Sequence, residues 1–292
     1  MRRAWIGWMG ALAWLVLLVG ASGRAEAPER ADAPGIRLER GALLRRFGAP
    51  DDPVEGGVWR YTEPGGTGRL IVVTIDPARA RIGVLPSSAP RPLASLVAGE
   101  RGDFVAINGG FYDEKNQAMG LVVSGGAVHA RLRRGGGSGV FFVRGGEPAI
   151  VHRGSDLLRQ PLDEALQSID RLVDESEVLV RQRADLPRDA RSAVAIDWRG
   201  RIHLVVAVDE RAIATERDGA IQLGPESTTT GPTLWQLAEF LARPVLEGGL
   251  GARFALNLDG GFSTALQLRL RGERLAVGGY RGTINALVAR PR

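Results

Sequence analysis

The sequence predicts a single α+β domain with a mixed, largely antiparallel β-sheet core and two or three helices. Many short apolar runs, typical of strands, are separated by turns that contain glycine, proline or aspartate. Few segments show the 3.6-residue spacing of a helix, and strands do not alternate regularly with helices. Together these observations favour the α+β class.

The N-terminus has the layout of a secretory signal peptide. Arg2 and Arg3 precede an apolar run from Ala11 to Val19, and small residues follow. The run is shorter than the roughly 20 residues of a membrane-spanning helix, and no later segment is apolar enough to span a membrane. We therefore expect cleavage after Ala27 and export to the periplasm or the medium. A retained membrane anchor is the alternative.

Three segments follow from this interpretation. They are a signal peptide over residues 1–27, a weakly structured leader over residues 28–68 and the main domain over residues 69–292. The leader is rich in proline, glycine and charge, and one strand is predicted in it near Trp59.

The elements of the main domain can be assigned in chain order. Strands are predicted over residues 70–75, 81–85, 104–107, 120–124, 127–131, 140–143, 149–152, 193–197, 202–208, 254–258, 265–270 and 283–288. Short helices are predicted over 93–98 and 162–168. A third helix begins near Pro232, and its apolar face comprises Leu234, Leu237, Ala238 and Leu241.

The composition excludes several classes of function. The chain has no cysteine, which excludes thiol catalysis and thiolate metal sites. Its net charge of +5 comes with abundant arginine, but no arginine block is interleaved with aromatic residues, so nucleic-acid binding is not expected. His129, His152 and His203 lack the spacing of metal ligands, so no metal site is predicted.

Two apolar strands run into matched polar segments that are rich in glycine. The first ends in Asn108-Gly109-Gly110 and the second in Asp259-Gly260-Gly261. Paired glycines permit positive φ and leave backbone N–H groups uncovered, an arrangement that suits phosphate and other anionic oxygens. Tight turns that carry Asn and Asp would have the same sequence pattern. The residues alone leave both interpretations open.

The second segment also approaches the nucleophile elbow of serine hydrolases. In Gly261-Phe262-Ser263-Thr264-Ala265 the last position is not glycine, and an alternating strand follows instead of a helix. A serine hydrolase is therefore disfavoured. No cofactor is predicted, and a divalent cation held by Asp113 or Asp259 is left open.

Four segments in this order resemble the phosphodiester glycosidase family. They are AINGGFYDEKNQAMGLVVSGG, RSAVAIDWRGRIHLVVAV, TLWQLAEFL and ALNLDGGFSTAL. The resemblance extends from about Leu70 to Val288, and its specific part is Asn-Gly-Gly-Phe paired with Asp-Gly-Gly-x-Ser-Thr. The family includes the lysosomal uncovering enzyme and bacterial proteins related to exopolysaccharides. The resemblance implies hydrolysis of a sugar that is joined through its anomeric oxygen to a phosphodiester.

The resemblance assigns site residues by matching position. Those implied to be catalytic are Asp259, Arg191 and Asn108. Those implied to bind substrate are Gly109, Gly110, Gln167, Gly260, Gly261, Ser263, Arg281 and Asn285. Asp113 and Thr264, which stand beside these residues in the two motifs, are also predicted to bind substrate. After Gln167 the family's Gly-Pro is replaced by Ile169-Asp170. Phe262 stands where many members have a smaller residue, and it is expected to narrow the pocket or stack on a sugar ring.

Glycoside chemistry suggests a role for the charged residues of this set. Breaking the bond needs an acid for the leaving group and a carboxylate for the positive centre or the water, although phosphate leaves with little help from an acid. Asp259 is expected to be base, nucleophile or electrostatic stabiliser, with Asp113 or Glu114 as the second carboxylate. Arg191 and Arg281 are expected to hold the phosphate.

The sequence therefore predicts an exported hydrolase that cleaves a sugar from a sugar-1-phosphodiester in an envelope or extracellular glycan. Asn108 and Ser263 would hydrogen-bond to sugar hydroxyls or phosphate oxygens. The alternative is a non-catalytic periplasmic protein that uses the same pocket to bind a glycan or to assist exopolysaccharide assembly.

Overall fold

The computed structural model describes residues 35–135 and 137–292. The predicted signal peptide and the start of the predicted leader lie outside this part of the chain. Of the described residues, 50% are in strands and 12% in helices, counting short 3₁₀-helices. No helix in these ranges is both long and apolar enough to cross a membrane.

The described elements are mostly short strands. The strands are β1 Arg37–Phe47, β2 Val54–Glu63, β3 Gly66–Ile75, β4 Ala80–Arg91, β5 Phe104–Asn108, β6 Val122–Ser124, β7 Ala127–Ala130, β8 Gly139–Arg144, β9 Glu147–His152, β10 Glu164–Ser168, β11 Arg171–Asp174, β12 Glu177–Val178, β13 Arg191–Asp197, β14 Ile202–Asp209, β15 Ile213–Arg217, β16 Ala220–Leu223, β17 Ala252–Asn257, β18 Leu266–Leu270, β19 Glu273–Gly278 and β20 Thr283–Pro291. The α-helices are α1 Leu93–Leu96 and α2 Leu234–Ala242. The 3₁₀-helices are Asp156–Arg159, Glu210–Ala212, Pro225–Thr228, Val245–Glu247 and Gly261–Ser263.

The described strands form three sheets. The first has eight strands in the order β1-β2-β3-β14-β13-β17-β11-β12, and the second has seven in the order β15-β16-β19-β18-β5-β20-β4. The third has five strands in the order β7-β6-β10-β8-β9. Neighbouring strands run antiparallel, apart from the parallel pair β16 and β19.

The sheets lie in layers, and many of their strands are therefore buried on both faces. On β3, Ile71 belongs to a core shared with Ile107 of the seven-stranded sheet and Phe141 of the five-stranded sheet. The next residue, Val72, faces the opposite side and belongs to a second core with Phe240 of α2. Full burial of such a side chain contributes about 1.5–3 kcal/mol. The eight-stranded sheet is therefore covered on one face by the other two sheets and on the other face by α2.

Helix α2 forms where its apolar face was predicted, and its start is fixed by a capping box. The Thr233 hydroxyl accepts a hydrogen bond from the Gln236 amide, and the Gln236 side chain accepts one from the Thr233 amide. These bonds satisfy two amides that a helix start otherwise leaves unpaired. Leu237 and Leu241 pack on the eight-stranded sheet.

The predicted α+β class is wrong, because the described chain is mostly β-structure in three sheets. Residues 162–168 illustrate the error, since a helix was predicted there and Glu164–Ser168 form β10. Ala165 contributes to an outer apolar cluster and Leu166 to the inner core. A strand buried on both faces shows no apolar–polar alternation, so its pattern does not distinguish it from a short helix.

Residues 28–68 were predicted to be a weakly structured leader, but from Arg37 onward they form β1, β2 and the start of β3. Glycine in this stretch serves strand packing. A Cβ on Gly56 would lie 2.3 Å from the Val72 carbonyl oxygen, and one on Gly57 would lie 2.7 Å from that of Arg45. Because glycine has no side chain, the backbone of β2 can approach both neighbouring strands closely at these two positions.

Strands β5 and β17 belong to different sheets, and the segments that follow them meet. The Asp259 amide donates to the Gly109 carbonyl at 2.9 Å, and the Asn108 amide donates to the Ala265 carbonyl at 3.1 Å. The two matched motifs of the sequence are therefore brought together where the eight-stranded and seven-stranded sheets adjoin.

Candidate active site

Asn108 joins three backbone segments at this junction. Its side-chain amide donates to the Asp259 carbonyl at 2.6 Å. Its side-chain oxygen accepts from the Ser192 hydroxyl at 2.7 Å and from the Ala265 amide at 2.9 Å. The residue is fully buried. Its position is that of a support under Asp259, and it does not line the cleft described below.

The glycines after Asn108 are required by close packing. The Gly109 amide donates to the Asn285 carbonyl at 2.8 Å, and the Gly110 amide donates to the Asn285 side-chain oxygen at 2.7 Å. A Cβ on Gly109 would lie 1.9 Å from that oxygen. These N–H groups are engaged within the protein, so the array of uncovered amides expected from the sequence is absent at Gly109 and Gly110.

Gln167 is also an interior support. Its side-chain oxygen accepts from the amides of Leu121 and Arg133, and its side-chain nitrogen donates to the carbonyls of Arg133 and Gly137. Three of these bonds hold the backbone of Arg133 and Gly137, and the fourth holds that of Leu121. Gln167 is buried and does not line the cleft described below.

A cleft of about 770 Å³ opens beside the junction. It is lined by Pro90, Phe111, Tyr112, Asp113, Glu114, Asn116, Asp189, Arg191, Thr228, Asp259, Gly260, Gly261, Phe262, Ser263, Arg281 and Gly282. Seven of the thirteen residues predicted to be catalytic or to bind substrate are in this lining: Asp113, Arg191, Asp259, Gly260, Gly261, Ser263 and Arg281. The others are buried around it: Asn108, Gly109, Gly110, Gln167, Thr264 and Asn285.

Asp259 is the carboxylate most altered by this environment. Burial raises the pKa of Asp259 to about 6. Hydrogen bonds from the Ser263 hydroxyl and the Gly260 amide, together with the charge of Arg281, oppose that rise by favouring the ionised form. Asp259 therefore changes protonation close to neutral pH, where a group can both accept and return a proton.

Arg191 approaches the cleft from the interior. Its Nε donates to the Pro232 carbonyl at 3.0 Å and one terminal nitrogen donates to the Pro187 carbonyl at 2.6 Å. The other terminal nitrogen forms an ion pair with Asp189 at 3.1 Å. Burial lowers the pKa of Arg191, although Asp189 and Asp170 oppose the change, and a guanidinium remains charged in proteins. Arg191 is a fixed positive charge in the cleft wall.

Asp189 is a carboxylate of the cleft that was not predicted from the sequence. Burial raises its pKa, and the adjacent charge of Arg191 limits the rise. The signal that could have found it is its position two residues before Arg191, just ahead of the buried strand β13. Its carboxylate gives the cleft a second acidic group of altered pKa near Asp259.

The rim of the cleft is aromatic and cationic. The guanidinium carbon of Arg281 lies 5.0 Å from the ring centre of Phe262, whose ring lies 5.4 Å from that of Tyr280. The Arg281 amide donates to the Phe262 carbonyl at 2.8 Å. Within the described residues Arg281 forms no ion pair, and its side chain is exposed. Its charge is therefore available to a ligand.

The loop after Phe111 also lines the cleft. The Asp113 carboxylate accepts from the amides of Lys115 and Gln117 at 3.0 and 2.9 Å and lies 3.9 Å from a terminal nitrogen of Arg133. Glu114 is exposed at the cleft. Asp113 thus organises the turn, and Glu114 is the freer of the two carboxylates.

Metal ligation has no ready donor set here. Among the described residues no group of three or more histidine, cysteine, aspartate or glutamate side chains is placed to hold a metal ion. The chemistry that the cleft offers on its own is a carboxylate that titrates near neutral pH, a second carboxylate held by an interior arginine and an exposed arginine at an aromatic rim.

One comparison with known proteins identifies a family. A family model described as phosphodiester glycosidase matches residues 102–288. No curated protein sequence matches the chain. Solved structures that share the fold include one from zebrafish and one from Synechocystis.

The first is the catalytic domain of zebrafish N-acetylglucosamine-1-phosphodiester alpha-N-acetylglucosaminidase, auto-inhibited by its pro-peptide. It has a TM-score of 0.58 and 17% identity, and the match covers 88% of this chain and 89% of that chain. A hypothetical protein from Synechocystis has a TM-score of 0.52 and 18% identity over 82% of this chain and 62% of that chain.

Proposed function

Because the chain belongs to the phosphodiester glycosidase family, we propose that it is an exported hydrolase that releases a sugar from a sugar-1-phosphodiester of an envelope or extracellular glycan. Family membership supports glycosidase chemistry in general. The choice of a phosphodiester-linked sugar and the location outside the cytoplasm are parts of the proposal, the latter motivated by the basic and apolar start of the chain.

The single observation that carries the proposal is the environment of Asp259. Its carboxylate lines the cleft, its pKa is raised to about 6 by burial, and it accepts hydrogen bonds from Ser263 and Gly260. A glycosidase needs a carboxylate at the anomeric centre. A raised pKa makes Asp259 a stronger base than an ordinary aspartate while leaving it ionised at neutral pH.

The proposed reaction divides the charges between the two arginines and the aspartate. The bond between the anomeric carbon and the phosphate-linked oxygen breaks, and its electron pair leaves with the phosphate. Arg281 at the rim stabilises that negative charge through charge-assisted hydrogen bonds, and the fixed charge of Arg191 in the wall adds electrostatic attraction. Water adds to the anomeric carbon, and Asp259 takes the proton that the water loses. The products are the free sugar and a phosphomonoester.

The decisive test is to incubate purified protein with a panel of sugar-α-1-phosphodiesters and to measure the sugar released. Turnover is expected from the wild type, and Asp259→Asn should reduce kcat by about 10²–10⁴-fold, the usual contribution of a positioned general base. Asparagine has the same shape and lacks the charge that burial disfavours, so the variant should be at least as stable as the wild type at pH 7.

Two results would contradict the proposal. One is measurable binding of the panel with no turnover by the wild type, which would instead support a non-catalytic glycan-binding protein. The other is full activity in Asp259→Asn. Thermal unfolding of the variant, run alongside, separates lost chemistry from lost structure.

A further inference from the structure

A second cleft of about 460 Å³ lies beside the candidate active site. Asn116 lines both clefts. Asn285 lines the second one, and its side-chain oxygen holds the Gly110 amide of the first motif. The ion pair between Asp113 of the first cleft and Arg133 of the second also links them. A ligand that extends from the first cleft past Asn116 therefore enters the second.

The two clefts differ in charge. The first has four acidic side chains in its lining, Asp113, Glu114, Asp189 and Asp259, alongside two arginines. Among the described residues that line the second cleft there is no carboxylate, and His129, Arg131 and Arg133 are the basic side chains. The second cleft thus offers positive charge and hydrogen-bond donors, which suit an anionic group.

The cations of the second cleft are available to a ligand. Arg131 is exposed and forms no ion pair within the described part of the chain. Arg133 is paired only with Asp113, at a distance of 3.9 Å, and its side chain remains 46% exposed. Two of the four hydrogen bonds of Gln167 hold the backbone of Arg133. The buried Gln167 thus orients a cation of the second cleft.

We propose that the second cleft binds a further anionic group, phosphate or carboxylate, carried by the part of the substrate that lies beyond the scissile phosphodiester. The sugar and the scissile phosphate would occupy the acidic first cleft, and the next anionic unit would lie against Arg131 and Arg133. The volume is within the range of pockets that hold small ligands. This inference rests on the proposed function for the direction of the substrate, and it means that the substrate carries at least two anionic groups.

Binding can be measured without turnover in the Asp259→Asn protein. The probes are a glycerol-phosphate trimer, an oligogalacturonate of equal charge and neutral glycerol, each titrated calorimetrically. We expect the anionic probes to bind and glycerol not to. Arg131→Glu in the same background should weaken anionic binding by tenfold or more, the loss expected for one charge-assisted hydrogen bond. Phosphate and carboxylate probes then show which anion the cleft prefers.

The matched control is Arg159→Glu. Arg159 is an exposed arginine, with 84% of its side chain accessible, and it lines neither cleft. The control should leave the affinity for both anionic probes unchanged. Equal weakening by the two variants would mean that overall charge, and not the second cleft, attracts the probes, and it would overturn the inference.

A kinetic measurement separates this inference from the proposed function. Arg131→Glu should raise KM about tenfold for a substrate with a glycerol-phosphate extension and leave a substrate with a methyl ester unchanged. Equal effects on both substrates would contradict the second cleft. If no substrate is turned over but trimer binding still depends on Arg131, the proposed hydrolysis fails while the anion site stands.

Discussion

Arg191 and Arg281 line the same cleft, but they belong to regions of opposite character. Arg191 is buried, its guanidinium engages two backbone carbonyls, and it forms an ion pair with Asp189. Arg281 is exposed and rests on Phe262. The difference shows that position in a family motif does not define a role. The interior arginine supports the wall, and the rim arginine is free to meet the substrate.

The interior wall continues away from the cleft into β2. The Glu63 carboxylate is fully buried and accepts two hydrogen bonds from one terminal nitrogen of Arg188, at 2.6 and 2.8 Å. It also accepts one from the Gln236 side chain at 2.8 Å. Arg188 directly precedes Asp189. A strand from the expected leader therefore helps to fix the loop that carries the second carboxylate.

The largest expected effect is that of Arg191→Met on stability. Methionine fills similar space but leaves Asp189 without its ion pair and the carbonyls of Pro187 and Pro232 without their donor. Removing one partner of a buried pair costs about 3–5 kcal/mol, and the low end applies because Asp189 is 22% exposed. Urea unfolding at pH 7 measures the loss, and Arg191→Lys, which keeps the charge, should lose less.

The pH dependence of that variant provides a second check. The pKa of Asp189 is already raised in the folded state. A raised aspartate pKa means that the folded state favours the protonated form, so stability falls as pH rises. Without Arg191 this dependence should strengthen, and the loss at pH 5 should be smaller than at pH 8. A variant within 1 kcal/mol of the wild type, roughly the scale of an ordinary hydrogen bond, would remove the distinction between wall and rim.

Arg281→Met, unlike Arg191→Met, is expected to change activity much more than stability. Its side chain is exposed, so the free energy of unfolding should change by no more than about 0.5 kcal/mol. Loss of a charge-assisted hydrogen bond to phosphate should reduce kcat/KM by about tenfold or more. Steady-state kinetics on a sugar-1-phosphodiester measures this, with Arg159→Met as the exposed control. Unchanged kinetics would show that the rim cation does not contact the phosphate.

The smallest expected effect is on the pH profile of that same variant. Wild-type kcat/KM should rise with pH through about 6, because Asp259 acts in its ionised form and burial raises its pKa to about 6. The charge of Arg281 lowers that pKa, so Arg281→Met should move the acidic limb to higher pH. A flat profile between pH 5 and 7, or a limb displaced to lower pH, would contradict the assignment.

The sequence predicted the family correctly, and it located the strands that lead into the site. Strand β5 and strand β17 end in motifs that are specific as a pair, because such glycine and polar residues are required at a crowded junction. The class of the fold was wrong, since strands such as β10 are buried on both faces and show no alternation. The pattern of apolar residues indicates that a segment is buried, but it does not indicate which layer covers each face.

The individual roles within the site could not be derived from the sequence. Asn108 and Asp259 look equivalent as polar residues at strand ends. Asn108 is nevertheless an interior amide held by three hydrogen bonds, whereas Asp259 lines the cleft. Asp189 was missed because no turn or glycine marks it. These distinctions depend on contacts between residues far apart in the chain, such as that of Asn108 with Ser192.

The crowding around the motif glycines restricts the positions at which substitutions could change substrate specificity. A single methyl group on Gly109 would lie 1.9 Å from the Asn285 side chain, and one on Gly260 would lie 2.8 Å from the Ala190 carbonyl oxygen. Such positions tolerate no gradual variation, because a backbone atom would have to move first. We expect the substrate range to diversify at Phe262, which lines the cleft, and at Tyr280, which packs on it, so mutant libraries aimed at new sugars should be concentrated there.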